Sequence, residues 1–420
     1  MLLPRRHIGK TAPAGRQAVS KAYDAIIVGA RCAGSPTAML LARKGYRVLL
    51  VDQASFPSDT LSTHVMQPLA VASLSSWGLL DRLVSTGCAP IHTYSYDFGP
   101  FTIQGAPGTK DAPVAYCPRR TILDKLLVDA ASEAGAEVRE VFTVDQVLIE
   151  DGRVVGVQGY SSDGQSITER AQVVVGADGR NSIVAEAVQA ARYNERPPLL
   201  APYYVYWRDL PMHGRFETYI RPERGFAAAE THDGLTMIVG GWPYAQFGAN
   251  KSDIEGNFLR LIEFVPEFAE RTRGAKRETK FAGGPTPNFF RKPYGPGWAL
   301  VGDAGYLKDP ITAQGILDAF RDAERCAIAL DEAFREERSF DAAMSDYQRE
   351  RDNTVLAMYD FTCQLATLEP PPPEMQNLFG AISGNQSAMD GFAQTNAGTI
   401  SPASFFSPEN VGAIMAQRGL

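Results

Sequence analysis

The chain has 420 residues, of which 45% are hydrophobic and 21% charged, a balance that excludes disorder throughout; at roughly 100–200 residues per domain it should hold two or three domains. A chain this long buries about three-quarters of the surface it exposes when unfolded, so its core needs neither disulfides nor a structural metal. The net charge is −7, and because residues 1–22 carry five Lys or Arg and no acid, the remainder stands at −12, which argues against a nucleic-acid partner.

The five cysteines, Cys32, Cys88, Cys117, Cys326 and Cys363, are odd in number and lack a C-x-x-C pair. This is the pattern of thiols in a reducing compartment, so a cytoplasmic location is expected. No apolar run reaches the roughly 18 residues of a spanning helix, and the N-terminus lacks the apolar stretch and cleavage site of a signal peptide. Residues 1–22 read as a disordered basic leader. The Arg5-Arg6 pair has no apolar region behind it, and Gly9-Lys10-Thr11 has Pro4 where a P-loop needs its first glycine.

From Tyr23 the pattern becomes regular. YDAIIVGA reads as a strand, GARCAGS as a turn of small residues, PTAMLLARKG as a helix closed by Gly45, and YRVLLVD as a second strand, together a βαβ unit. Gly29 and Gly34 frame the turn, where free N–H groups and the helix dipole can hold a pyrophosphate. Asp52 closes the second strand, where a carboxylate can accept the hydrogen bonds of an adenosine ribose. The G-x-G-x-x-G pattern is imperfect: Arg31 replaces the middle glycine and should either push the phosphate outward or help to neutralise it.

A helical stretch follows over Leu69 to Val84, then a segment of Gly, Pro and aromatics from Cys88 to Cys117, then a helix beginning near Arg119. Between Glu137 and Gly176 three apolar runs are divided by Asp151-Gly152 and Asp163-Gly164, turn dipeptides that fit a β-meander. Residues 199 to 243 alternate apolar and polar with many aromatics, which predicts an antiparallel sheet. In that sheet Tyr204, Tyr206 and Arg208 share one face and Tyr203, Val205 and Trp207 the other; one face could line a substrate pocket, or both could serve sheet packing. WALVGDAG (298–305) is again strand and tight turn, and Gln314 to Leu368 reads as long charged helices ended by Pro370 to Pro373. The last 50 residues are expected to form a polar tail packed on the body, with helix signals only at its end.

Four motifs in this order carry a resemblance: GARCAG with Asp52, the helix start Arg120-Thr121-Ile122-Leu123-Asp124, GADGRNS (176–182), and GDAGYLKDPITAQGI (302–316). Over most of residues 23 to 365 the chain resembles the flavoprotein monooxygenases built like p-hydroxybenzoate hydroxylase, which are related to geranylgeranyl reductases and flavin-dependent halogenases. The resemblance implies an α/β protein, with an FAD-binding Rossmann-like domain of the glutathione-reductase type, a discontinuous antiparallel β-sheet substrate domain and C-terminal helices. In these terms residues 23–87, 119–190 and 285–368 would be the three parts of the FAD-binding domain, 88–118 and 191–284 the substrate domain, and 369–420 the tail.

The cofactor set implied is FAD, with NADPH or NADH as reductant. Gly29, Arg31, Ala33, Gly34 and Asp52 would hold the adenosine and pyrophosphate, Arg120 would touch the flavin side, and Asp178 would lie in the segment linked with FAD and nicotinamide binding. Gly302 and Asp303 would hold the ribityl chain, and Pro310 to Gly315 would run beside the isoalloxazine ring. Independently of the resemblance, a helix starting near Gln314 or Gly315 would stabilise negative charge on a reduced flavin.

The five histidines never fall at i, i+3 or i, i+4, so a helical metal pair is not expected, and no G-x-S-x-G is present. Cys32 fits a tight turn better than it fits a reactive role. His64 lies either near the FAD pyrophosphate or the nicotinamide route, or on a surface loop; Arg221 and His232 are equally open. Halogenases of the family carry a Trp-x-Trp pair, whereas Trp77, Trp207, Trp242 and Trp298 are never two apart. Geranylgeranyl reductases carry a Tyr-x-Trp element, which PYYVYWRDLP approaches with Val205 in place of Tyr.

The expectation is an FAD-dependent monooxygenase that uses NAD(P)H and O2 to hydroxylate an electron-rich, aromatic small molecule through a flavin C4a-hydroperoxide. The alternatives are a carbon–carbon double-bond reductase and a non-catalytic flavin-binding protein. No catalytic base is fixed by the sequence; Tyr204, Tyr206 and His64 are the candidates.

Overall fold

A computed structural model describes residues 22–417; the basic leader lies outside the described residues. The first strand, Tyr23–Val28, is the centre of a parallel sheet. It pairs on one side with Val48–Val51, which pairs in turn with Glu137–Arg139, and on the other with Ser166–Gly176, which pairs with Trp298–Leu300. All these pairings are parallel, and the central strands are buried on both faces, as their unbroken Val, Ile and Leu runs require. Helices Gly34–Arg43, Arg120–Glu133 and Gly315–Phe334 cover one face in a single apolar cluster. The other face is closed by the antiparallel strands Thr143–Glu150 and Arg153–Tyr160, which run onto the start of Ser166–Gly176, and by the short helix Ile183–Ala187. This is the α/β dinucleotide-binding architecture the motifs imply.

Three of the elements divide more finely than their sequence patterns. The apolar run from Glu137 splits because Val141 takes φ +55° and gives its N–H to Ala54 O, so its first piece joins the parallel sheet and only its second enters the meander. The helical stretch Leu69 to Val84 is two helices, Pro68–Ser76 and Leu80–Ser85, parted at Gly78 with φ +75°. The long C-terminal region breaks into Gly315–Phe334 and Phe340–Ala366, with Ser339 capping the second through its side chain.

The second layer is a sheet in which Leu200–Arg208, Leu235–Pro243, Arg224–Glu230 and Arg215–Arg221 are antiparallel neighbours. Thr93–Asp97 then joins parallel to Arg215–Arg221, and Thr102–Gly105 follows as a hairpin partner. One face holds Tyr203, Val205 and Trp207 against helices Ile254–Glu263 and Pro266–Arg273. The opposite face carries Tyr94, Tyr96, Tyr206, Phe216 and Met237.

On that opposite face the tail packs on the body, and it is helical from Pro373 onward rather than only at its end. Residues 373–417 form four helices, Pro373–Ile382, Gln386–Asn396, Pro402–Phe405 and Pro408–Gln417, and bury Leu378, Phe379, Ile382, Phe392 and Phe405 against the sheet. Their apolar residues are sparse and separated by Gly, Ser and Asn, so periodicity is weak; tertiary burial stabilises them instead. Backbone contact is close: a Cβ on Gly105 would lie 2.3 Å from Met389 O.

Candidate active site

A cavity of about 770 Å³ runs from the first βα turn, past the ends of the parallel strands, to the second sheet. It gathers Gly29, Arg31, Ala33, Asp52, Arg120, Asp178, Asp303, Pro310 and Gly315 on one continuous wall, together with Tyr203, Tyr204 and Val239 from the sheet. Two other motif glycines shape the wall from behind. A Cβ on Gly34 would stand 1.7 Å from Gly29 O, and one on Gly302, whose φ is +59°, 2.8 Å from Ala33 Cβ. Gly29 itself has φ +102°, with Ala177 O 2.4 Å from a built Cβ, so neither space nor conformation admits a side chain there.

At the first helix the ladder begins with Ser35 N donating to Arg31 O, which leaves the N–H groups of Arg31, Cys32, Ala33 and Gly34 without backbone acceptors, the first three of these residues lining the cavity. This is a cradle for an anionic group. Arg31 does not push outward into it. Its guanidinium is tied back, to Asp124 Oδ2 at 2.6 Å and Ser58 Oγ at 2.9 Å, and lies 5.3 Å from the Phe56 ring centroid. Arg120 reaches the same fully buried Asp124, Nε to Oδ1 at 2.9 Å. The Cys32 thiol donates to Asp124 at 3.4 Å, and burial pushes its pKa up, which makes it unreactive.

Asp52 accepts Ala30 N–H on Oδ2 (2.7 Å) and Ala54 N–H on Oδ1 (2.8 Å), which fixes its carboxylate at the cavity edge with lone pairs to spare. Asp178 accepts Ile183 N–H on Oδ2 at 2.7 Å, while its buried Oδ1 has no partner. Asp303 is exposed and lines the cavity. Burial of its surroundings raises its pKa, opposed by Arg120 and Lys308 and by Arg180, an exposed guanidinium on the same wall.

Beside Pro310 the backbone is held from behind. Ala313 takes φ +51°, and the carbonyls of Thr312 and Ala313 accept from Gln67 Nε2, while Gln314 Nε2 donates to Thr312 O and to Asn396 O of the C-terminal helices. The N–H groups of Gln314, Gly315 and Ile316 precede the first helical bond, at Asp318, and line the cavity without backbone acceptors. A second cradle for negative charge therefore lines the same cavity.

The three candidate bases separate. Tyr204 is half-buried on the cavity wall, and burial raises its pKa. Tyr206 and His64 lie behind it, hydrogen-bonded to each other through the phenol and Nε2. His64 is fully buried with φ +57° and an unpartnered Nδ1, and burial, then Arg120 and Arg119, lower its pKa to about 3. It is a neutral packing partner, with neither a surface position nor a place on the cavity wall. His232 holds Thr86 Oγ1 and Arg119 N–H, and Arg221 pairs with Asp97 at 2.9 Å; neither lines the cavity.

Asp124, Lys308 and Asp318 were missed as site residues. Lys308 donates to Tyr306 OH at 2.8 Å and to Asp318, and both charged residues line the cavity. The i, i+4 spacing of Arg120 and Asp124 was the available signal for the first; the Lys308–Asp318 pair crosses a turn and left none.

Residues 22–203 match the family described as FAD binding domain. The orphaned Asp178 Oδ1, the glycine positions that admit no Cβ and the two N–H cradles fit such a dinucleotide. Protein FixC of Salmonella typhi is 33% identical over 178 residues, a match that spans 40% of this chain and 40% of FixC. Digeranylgeranylglycerophospholipid reductase of Methanosarcina mazei is 28% identical over 318 residues, 71% of this chain and 72% of the reductase.

Solved flavoprotein structures share the fold. The myxobacterial chondrochloren halogenase CndH superposes with TM-score 0.77 at 22% identity, covering 90% of this chain and 97% of its own. PqsL, a probable FAD-dependent monooxygenase of Pseudomonas aeruginosa, gives 0.70 at 21%, covering 83% and 96%. A flavoprotein/dehydrogenase from Cytophaga hutchinsonii gives 0.80 at 16%, covering 95% and 100%.

Proposed function

We propose that the chain is an FAD-dependent oxidoreductase, and within that class a monooxygenase that takes NADPH or NADH and O2 to hydroxylate a small, electron-rich aromatic molecule. The observation that carries the first part is the pair of N–H cradles that line one cavity together with Asp52, Asp178 and Asp303. FAD bound there would supply the two-electron carrier and the centre at which oxygen is activated. Arg31, Cys32, Ala33 and Gly34 would hold its pyrophosphate through their N–H groups, Asp52 a ribose and Asp303 the ribityl hydroxyls. The N–H groups of Gln314, Gly315 and Ile316 would receive negative charge on the ring, and Tyr204 would orient a substrate hydroxyl from the sheet side.

The choice of a small substrate over a lipid chain is supported by the C-terminal helices. They fill the sheet face around Tyr94, Tyr96 and Met237, which leaves that face closed to a long chain. The reductase reading is favoured by one finding, the alignment with the archaeal reductase over 71% of the chain. A cytoplasmic setting agrees with five buried, unpaired cysteines. Among the described residues no helix is long and apolar enough to cross a membrane.

Absorbance spectroscopy of the purified protein tests these readings, with NADPH or NADH added anaerobically alongside phenols or polyenes before oxygen is admitted. Faster bleaching of the flavin with a phenol, and a hydroxylated product only after oxygen, are expected. Bleaching reversed anaerobically by a polyene would replace the monooxygenase with the reductase.

A further inference from the structure

The loop that lines the cavity ahead of helix Gly315–Phe334 is held by two buried amides. The helical ladder begins at Asp318 N, so side chains supply the donors for the carbonyls of Thr312 and Ala313. Gln67 Nε2 donates to Thr312 O at 3.3 Å and to Ala313 O at 3.4 Å, and Gln314 Nε2 donates to Thr312 O at 3.2 Å and to Asn396 O at 2.9 Å. Gln67 stands at the start of helix Pro68–Ser76 yet makes no capping bond to it through its side chain. That side chain is buried and engaged with this loop and with Tyr94, whose phenol donates to its Oε1 at 2.6 Å.

These bonds act where the backbone is strained. The two carbonyls bracket Ala313, which takes φ +51° and ψ +40°, a left-handed conformation that residues other than glycine seldom adopt. Fixing both carbonyls fixes that conformation. The carbonyl of Ala313 and the N–H of Gln314 belong to one trans peptide plane and point in opposite directions. Gln67 lies behind the cavity wall, whereas Ala313, Gln314, Gly315 and Ile316 are on it. Drawing Ala313 O back to Gln67 therefore turns Gln314 N–H toward the cavity side. Tyr94, on the strand Thr93–Asp97 of the second sheet, fixes which end of the Gln67 amide faces the loop.

We infer that Gln67 is a positioning residue of the flavin site: by holding the carbonyls of Thr312 and Ala313 it aims the Gln314 N–H into the cavity and so raises the preference of the site for reduced over oxidised flavin. The inference rests on the flavin reading above. An N–H donor fixed in advance stabilises a ring that carries negative charge more than a neutral one. Gln67 itself touches no cofactor atom. Its effect falls on the reduction potential, with little on the binding of oxidised FAD, and Tyr94 acts only through it.

The test is the midpoint potential of bound FAD, read by reductive titration against a reference dye, together with the dissociation constant of oxidised FAD, for the wild type, Gln67→Met, Tyr94→Phe and the double variant. Methionine keeps the unbranched length of glutamine and removes both donors. Gln67→Met should lose preference for the reduced form roughly tenfold, the scale of one hydrogen bond to a charged group, which lowers the potential of a two-electron couple by about 30 mV. Oxidised FAD should bind within about threefold of the wild type. Tyr94→Phe, which removes a single oxygen, should lower the potential by less and add nothing in the Gln67→Met background. A potential unchanged in Gln67→Met, or in Tyr94→Phe where Gln67→Met does not fold, would overturn the assignment while leaving the flavin reading intact. So would additive shifts in the double variant, or a loss of affinity by the same factor for both redox states. A wild-type protein that takes up no FAD would refute the flavin reading itself.

Discussion

Asp124 is the residue on which the two arginines of the site depend, and replacing it should be expensive for a reason that a double-mutant cycle can isolate. It is fully buried, with Arg120 8% exposed beside it and Arg31 at the cavity edge. Removing one member of a buried pair leaves an uncompensated charge, at about 3–5 kcal/mol. Most of that belongs to Arg120, since the Arg31 side chain keeps 25% exposure and its share falls toward the 0–1 kcal/mol of a solvated pair. Asp124→Leu should therefore lose about 3–5 kcal/mol of stability in urea unfolding of the flavin-free protein. Arg120→Met should lose less, because Asp124 keeps Arg31. If charge imbalance is the cause, the double variant should recover at least about 2 kcal/mol relative to the sum of the two singles. Strict additivity, within about 0.5 kcal/mol, would refute the reasoning and make Asp124 a packing residue like any other.

The pocket glycines should separate folding from binding: a Cβ on Gly315 meets nothing within 4 Å and opens on the cavity. Gly315→Ala should keep or raise stability by up to about 1 kcal/mol while weakening FAD, whereas Gly34→Ala, driven onto Gly29 O, should lose both in thermal melts and fluorescence titrations. For His64, whose pKa falls from 6.5 to about 3 on folding, the unfolded chain binds the extra proton. Its contribution to stability is complete above pH 6.5 and is lost as pH falls toward 3, by up to about 1.4 kcal/mol per unit. Asp309 and Asp322, raised to about 7 by burial, act in the opposite sense, so the quantity to measure is wild type minus His64→Asn, and a difference independent of pH between 4 and 6.5 would contradict the assignment. Gly105→Ala should press against Met389 O and loosen the C-terminal helices, read as faster proteolytic cleavage after Pro370 with the remainder of the chain intact.

The parallel sheet and its first turn were legible because they rest on short-range signals: an apolar run, a glycine that needs positive φ, a carboxylate at the next strand's end. The loop Pro310–Gly315 was placed by the family resemblance instead, and it borders the cavity. What escaped depends on contacts between distant segments. Lys308 finds Asp318, Gln314 finds Asn396, and Asp124 serves a guanidinium 93 residues away. The C-terminal helices escaped because their apolar residues acquire meaning only against Tyr94, Tyr96 and Met237, on strands far earlier in the chain. His64 was left open between the cofactor side and a surface loop because nothing local reveals burial, and Tyr206 and Tyr204 enclose it.

Arg31, where the nucleotide-binding pattern prefers glycine, resolves into an argument about where positive charge is useful. A free guanidinium at the phosphate turn would occupy the space a pyrophosphate needs. Held at 2.6 Å by Asp124 and at 2.9 Å by Ser58, it instead fastens the loop 58–59 to the turn and leaves residues 31 to 33 lining the cavity with their N–H groups unengaged by backbone. Arg120 and Lys308 are likewise balanced, by Asp124 and Asp318. The attraction for a doubly charged pyrophosphate then comes from backbone N–H groups and the helix dipole, with Arg180 as the exposed cation on the wall. Replacing Arg31 should accordingly change the order of the 58–63 loop more than it changes the affinity of the turn for phosphate.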